Sequence, residues 1–539
     1  MKSKLLKSLF LPLLVLSACG SSTGSGSEAT SEDTSGEKSY KKDADIVVKE
    51  REVQYIDDFY RNYYQIFPIA YADSNGDGKG DLKGITDKID YIKSLNVTGL
   101  WLTPVHQSPT YHKYDVMDYK SIDSTFGTLA DYDALVTKCH ENHMTIILDL
   151  VYNHSSSQHP WFIECMEAHL YNDTGNKYYN YYNVSTEPQF GYTRYKSTDL
   201  YYEARFDSGM PDLNLQGVID GTNTALINDL TDIMRFWLVD HKVDGFRLDA
   251  CTSFFTGNVQ KNIEFLNWLK RTAEGIKTGT YIIGEVLESS AMYSQYYASD
   301  ADAFFAFDDA GKHGNKIYMS ILKKNVSNIS SYINADITNA KGHVPAPLLS
   351  NHDIGRCTKT NVNSNKMIHG LLALSNGSTF EYYGDEIGMS SVSASPEDFG
   401  FRQPFKWGDS YTCTPTGGSC SATDAQKYPF GSMKDQDNDS ESLLNFYRKA
   451  FKYRLQNPEL ARGNCSIEYI NEAKNCGILK REYNNSVVYM AINLSQDEEI
   501  PLDVSGLNAE IVADLSVNES PFYSGGQLIM TPSSILLFH

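Results

Sequence analysis

From about residue 60 to residue 455 the chain alternates short apolar runs with stretches of helical spacing, a pattern that predicts a parallel βα architecture. The runs that read as strands are Gln65–Ile69, Gly99–Thr103, Thr145–Val151, Gly245–Ala250, Tyr281–Val286, Ala303–Phe307, Pro347–Ser350 and Thr379–Tyr383. That is the number that closes a TIM (β/α)8 barrel, which carries its chemistry at the C-terminal ends of its strands. Between the third and fourth runs, residues 154–215 show few helical periods and many tyrosines, among them Tyr178, Tyr181, Tyr182, Tyr195 and Tyr202. An excursion this long is expected to be functional or a loop-rich inserted subdomain. After residue 460 the spacing changes to that of strands, as in Ser486–Asn493, and 461–539 reads as a C-terminal antiparallel β-sandwich. The barrel is then built from 51–153 and 216–460.

The N-terminus has a different character. Lys2, Lys4 and Lys7 precede an apolar run from Leu9 to Leu16 and then Ser17-Ala18-Cys19, which reads as an export signal over 1–19. The run is too short to span a bilayer. Residues 20–50 are mostly Ser, Gly, Thr and Glu, the composition of a disordered tether. At 539 residues more than one domain is expected, and a formal charge of −21 argues against nucleic acid or anionic lipid and for a neutral substrate. Beyond Cys19, the pairs Cys413/Cys420 and Cys465/Cys476 are close enough for small-loop disulfides in an oxidising space, and no CxxC spacing suggests zinc.

The candidate chemistry lies at the predicted strand ends. In Asp244–Ala250, Arg247 and Asp249 point the same way because side chains alternate along a strand. A guanidinium beside a carboxylate keeps it ionised, as a nucleophile must be. Glu285 ends the next strand among Ile282, Ile283 and Val286, where burial would raise its pKa and suit a general acid. Asp353 follows the seventh strand, where a third carboxylate could stabilise developing positive charge. Any one of these alone reads as a loop carboxylate or a helix cap. Together on successive strand ends they match what glycosidic cleavage needs, an acid on one face of the sugar and a carboxylate on the other. Separately, Asp73, Asn75, Asp77 and Asp81 offer hard oxygens at alternate positions of a glycine-rich turn, a donor set suited to Ca2+. It is not an EF-hand, because Gly84 stands where the closing glutamate belongs.

Four segments then carry a resemblance. Asp149–His154, Gly245–Ala250, Gly284–Val286 and Asn351–Asp353 resemble the conserved regions of the α-amylase family of glycoside hydrolases, and Met210–Asn214 resembles its fifth region. The likeness covers nearly the whole chain after the tether. It implies a retaining α-glucan enzyme with Asp249 as nucleophile, Glu285 as acid/base and Asp353 as transition-state stabiliser. It also implies substrate contacts from His112, Tyr114, His154, Arg247 and His352, and a largely structural Asp149. The family's calcium loop matches Asp73, Asn75, Asp77, Lys79 (through its carbonyl) and Asp81, and a less certain second calcium site matches Asn153 and Asp212. Leu16–Cys19 resembles a bacterial lipobox, which implies lipidation of Cys19, a cell-surface location and membrane contact through that anchor alone. A monomer acting on starch or maltooligosaccharides is expected, as an endo-acting α-amylase. The alternatives are an exo-acting α-glucosidase or 4-α-glucanotransferase, or a glucan-binding lipoprotein without activity. One departure bears on them: where many members have Lys and His after the nucleophile, this chain has Thr252-Ser253. The segment Phe401–Trp407 resembles subfamilies between α-amylases and oligo-1,6-glucosidases.

Overall fold

A computed structural model describes residues 40–539 apart from 309–313, 410–411, 415–417 and 508. Cys19 and the expected signal segment lie outside the described residues. The barrel strands are β1 (Asn62–Ile66), β2 (Gly99–Leu102), β3 (Thr145–Leu150), β4 (Gly245–Leu248), β5 (Tyr281–Gly284), β6 (Ala303–Ala306), β7 (Val344–Pro347) and β8 (Thr379–Tyr382). They form one parallel 8-stranded sheet, with β7 and β8 at its ends. A bridge between Leu348 and Phe380 joins those ends and closes the ring.

Two strands lie three residues earlier than expected. β1 hides behind its polar positions, since Asn62 and Gln65 are buried. β7 hides behind Pro345 and Pro347, residues that normally argue against a central strand. Neighbouring bonds explain why the prolines are tolerated. Val344 donates to Asp302 on the β6 side, whereas Pro345 faces β8 and accepts there from Ser378. The missing proline N–H groups therefore fall on the seam, where the β7–β8 contact is reduced to a bridge.

Inside the ring Tyr63, Trp101, Ile147, Tyr281, Phe305 and Phe380 fill the lumen, with Trp101 and Phe305 stacked at 5.2 Å. Outward-facing residues such as Phe246 and Leu248 join a second core beneath the helices. The alternation of faces along each strand thus leaves its C-terminal end to carry polar groups.

The insertion at 154–215 is less loop-like than its spacing suggests. It holds a helix, Pro160–Tyr171, and a small antiparallel sheet of Val184–Ser185, Tyr201–Glu203 and Tyr192–Arg194. Four of its nine tyrosines build its core. Tyr181, Tyr182, Tyr195 and Tyr202 are buried, and the rings of the last three meet Phe162 edge-on.

The C-terminal module pairs two sheets. One contains β9 (Asn464–Asn471), β10 (Cys476–Tyr483), β11 (Ser486–Asn493), β16 (Ser534–Phe538) and β13 (Ile511–Asp514). The other contains β12 (Ile500–Leu502), β14 (Phe522–Ser524) and β15 (Gln527–Met530), with Ala44–Asp45 added against β14. Residues expected in the tether therefore edge this sandwich. The expected disulfides are absent: all eight described cysteines are free. In the β9–β10 ladder Cys465 pairs with Arg481, and Cys476 with Asn471, so the two thiols sit at opposite ends of the hairpin.

Candidate active site

Strands β3, β4 and β5 bring the first group of side chains together. Register places Asp149 beside Arg247 and Arg247 beside Ile283, and alternation turns Arg247 into the ring. Arg247 is wholly buried, 5.3 Å from the Trp101 ring centre. Its Nη1 donates to Asp149 Oδ1 and Asp249 Oδ1, both at 2.8 Å, while Nη2 stands 2.8 Å from Glu285 Oε1. One guanidinium thus serves three carboxyl groups. The chain leaves Asp249 through Ala250 at φ +50°, a left-handed conformation that costs a non-glycine residue about 1 kcal/mol or more. That turn aims the Ala250 N–H at Glu285 Oε2, 3.3 Å away.

Asp353 enters from the other side of the mouth. His352 Nε2 lies 2.9 Å from Asp353 Oδ2 and 2.6 Å from the Tyr114 hydroxyl, which donates to Asp149 at 3.0 Å. Gln65, at the end of β1, meets the other ring nitrogen of His352 at 2.8 Å. Arg402 completes the arrangement, donating to Asp353 Oδ1 at 2.8 Å and to the His352 carbonyl at 2.9 Å. Arg402 also donates to the Tyr111 hydroxyl at 2.8 Å, and that hydroxyl donates to Asp398 at 2.9 Å. Tyr111, Asp398 and Arg402 so form a strap between the loop after β2 and the loop after β8. Arg402 is the member missed by strand-end reasoning. Its sequence segment was conspicuous, but nothing in its spacing revealed the bond to Asp353.

The electrostatics separate the carboxyls. Burial pushes Glu285 up to about 8, with Asp249, Asp353 and Asp149 adding to the rise against the pull of Arg247. Burial likewise lifts Asp149 to about 7. Burial also opposes ionisation of Asp353, but the His352 ring and Arg402 override it and hold that carboxyl well below the usual range. One group is therefore a proton donor at neutral pH while another stays charged, the division of labour that acid catalysis needs. If Glu285 must be protonated to act, kcat/KM falls as pH rises through about 8. A pH–rate profile flat to pH 10 would remove Glu285 as the acid.

The remaining expected contacts surround this cluster. His154 is buried with its Nε2 unpartnered, and the exposed Phe206 ring lies 5.3 Å from it. Burial holds the His154 imidazole below its ordinary value, hence neutral and able to meet a hydroxyl. His112 accepts from the Tyr114 N–H at 3.2 Å and flanks the strap.

The residues of the expected calcium loop share one turn after β1, exposed at Asn75 and Asp77 and buried at Asp81, where Gly76 and Gly78 adopt φ +84°. Asp73 accepts from the Gly76 N–H, Asp77 from Lys79 and Asp81 from Gly84. Burial pushes the nearby Cys413 thiol up to about 12, and the charges of Asp73, Asp81 and Asp77 together add to it. Negative charge and hard oxygens gathered in one turn fit a hard cation. Asn153 and Asp212, expected at a second site, meet one another. The Asn153 amide donates to Asp212 Oδ1 at 3.2 Å, and Arg205 supplies a cation to the adjacent Glu203 at 2.6 Å. Among the described residues no group of three His, Cys, Asp or Glu side chains is already closed around a point.

Comparison with known proteins agrees with this geometry. Residues 65–463 match the family model described as alpha amylase, catalytic domain. Alpha-amylase 3 of Dictyoglomus thermophilum is 33% identical over 470 residues, covering 82% of this chain and 87% of that protein. Oligo-1,6-glucosidase of Bacillus cereus is 26% identical over 539 residues, covering 83% and 93%. Among solved structures, Eubacterium rectale Amy13B superposes with a TM-score of 0.79 at 32% identity, covering 90% of this chain and 96% of that one.

Proposed function

Because the chain belongs to the α-amylase family of enzymes acting on glycosidic bonds, we propose that it is an endo-acting α-amylase that cleaves α-1,4 bonds of starch and maltooligosaccharides with retention. The observation that carries this reading is the guanidinium of Arg247, shared by Asp249 and Glu285 at one mouth of the barrel. Retaining enzymes hold their two carboxyls about 5–5.5 Å apart, a separation that one shared guanidinium favours.

In the first step an Asp249 oxygen bonds to the anomeric carbon as the glycosidic C–O bond breaks, and Glu285 delivers its proton to the departing oxygen. In the second, Glu285 takes a proton from water, the water oxygen bonds to the same carbon, and the ester to Asp249 breaks. Asp353, held ionised by the hydrogen bond from His352 and the charge of Arg402, faces the positive charge that develops between these states. Asp73, Asn75, Asp77, Asp81 and the Lys79 carbonyl would hold Ca2+, which would supply rigidity to the loop after β1 and take no part in the bond changes.

An exo-acting α-glucosidase is the second reading, favoured by the strap of Tyr111, Asp398 and Arg402, which walls one side of the site beside Asp353. The products of soluble starch separate the two. Endo action gives a rapid loss of iodine staining with a ladder of maltooligosaccharides, and glucose alone from chain ends would overturn it. Chelation before the same assay is expected to lower thermal tolerance by several degrees. An unchanged melting midpoint would remove calcium from the proposal.

A further inference from the structure

The loop that carries Asp353 begins just past β7 and is knit at its centre by Asn351. The Asn351 side-chain oxygen accepts from the Asp353 N–H at 2.8 Å and from the Ile354 N–H at 2.9 Å. Burial does not fix the Asp353 carboxyl, because 31% of its side chain is exposed. Its place in the mouth depends on where the two ends of the loop are held, and on where Arg402 is held.

One buried ion pair holds all three. Asp385 follows β8 in a short turn entered through Gly384 at φ +88°. Its Oδ2 accepts from the hydroxyl of Ser350, three residues before Asp353. Its Oδ1 accepts at 2.7 Å from Nη1 of Arg356, three residues after Asp353. Arg356 Nη2 donates to the Phe401 carbonyl at 3.3 Å, next to Arg402, and the Tyr382 hydroxyl donates to the same carbonyl at 3.2 Å. The Arg356 backbone N–H donates to Ser391 Oγ at 2.6 Å. The guanidinium lies 4.2 Å from the ring centre of Tyr382 and 5.1 Å from that of Tyr383, with its side chain wholly buried.

Stability is a weak reason to bury such a pair, since apolar residues of like volume often serve as well. Direction is a better one. The two oxygens of a carboxylate and the planar fork of a guanidinium fix their partners at defined points, which apolar contacts do not. Here those points are the start of the Asp353 loop, its end, and the backbone beside Arg402. Placement matters at this spot, because a shift of about 1 Å in a group that faces a transition state costs about 10^2-fold in rate.

We propose that Ser350, Arg356 and Asp385 are positioning residues for the reaction, a clamp that sets Asp353 and Arg402 against the face of the sugar opposite Asp249 and Glu285. The proposal rests on reading Asp353 as the carboxyl that meets the developing positive charge. That charge is absent from the bound substrate, so the clamp acts on kcat and leaves KM nearly unchanged.

A double-mutant cycle on α-maltosyl fluoride tests it. Asp385→Asn keeps the shape of the partner and removes its charge, whereas Ser350→Ala removes one hydroxyl and leaves the ion pair intact. Each is made in the wild type and in Asp353→Asn. In the wild type kcat should fall roughly 10^2-fold for Asp385→Asn and roughly tenfold for Ser350→Ala, with KM within about threefold. In the Asp353→Asn background both falls should shrink to less than about twofold, since no charge is left to place. Equal falls in the two backgrounds would make the clamp a general support of the barrel and overturn the proposal, as would a fall confined to KM or no fall for Ser350→Ala. Should Asp385→Asn not fold, Ser350→Ala decides alone. Near-normal kcat in Asp353→Asn itself would overturn the reading of Asp353 instead, and the clamp's role with it.

Discussion

Asp249→Ala is expected to lower kcat on maltooligosaccharides by about 10^4-fold or more while KM stays within a few-fold. The asymmetry follows from what the residue touches. Asp249 sits at the end of β4 with 12% of its side chain exposed, accepting from Arg247, so its free oxygen can reach a substrate carbon but contributes little to holding the sugar. On the proposed reading His154, His352 and Tyr114 remain to hold it. Removing the Asp249 charge also removes one of the influences that keep Glu285 protonated, so the residual activity should lose its alkaline limb at a lower pH than in the wild type. A small anion such as azide, entering from the face left open, should restore turnover of α-maltosyl fluoride and give a product of inverted configuration. Turnover above a tenth of wild type without any added anion would take the nucleophile's role away from Asp249.

The parts of this site that were legible in the sequence are those governed by strand periodicity. Arg247 and Asp249 are two residues apart on one strand, and a two-residue period puts them on one side whatever the tertiary structure does. Glu285 was legible because an acid surrounded by Ile282, Ile283 and Val286 at a strand end has nowhere dry and unpaired to go. Gln65 was not, because its polar side chain suggested the start of a strand and not its inward-facing interior. Once β1 begins at Asn62, Gln65 falls under His352. Tyr111, Asp398 and Arg402 come from loops, whose meeting depends on closure of the ring at β8, β1 and β2, and no local period encodes that. The tyrosines of the insertion were visible in the composition, but which of them form its core was not: a small subdomain with few aliphatic residues uses large rings there, and Tyr181, Tyr182, Tyr195 and Tyr202 are the ones buried.

Arg247→Leu should be the most damaging substitution in the barrel, because it attacks fold and chemistry together. The arginine is wholly buried and contacts Asp149, Asp249 and Glu285, with Trp101 and Tyr114 against its faces. Leucine fills much of the volume but leaves three carboxyl groups around a site with no cation among them. Removing one partner of a buried ion pair costs about 3–5 kcal/mol, and at neutral pH the stranded carboxyls would take up protons to avoid facing one another as charges. Two consequences can be measured. Activity should fall by roughly 10^3-fold or more, since the guanidinium that positions Asp249 and Glu285 is gone. Stability should fall by an amount that depends on pH in a definite direction. In the variant the folded state binds more protons than the unfolded one over the range where these groups titrate, so its stability decreases as pH rises. Arg247 already opposes that rise at Asp149 and Glu285, which burial lifts to about 7 and about 8 even in its presence. Urea unfolding of both proteins at pH 5 and pH 8 should therefore show the larger deficit at pH 8. Arg247→Lys should recover part of the stability and little of the activity, because one ammonium cannot reach three carboxyls in the geometry of a planar fork. A deficit of the same size at both pH values would mean that Arg247 matters for its packing on Trp101, and that the charge it shares among the three acids does not hold the site together.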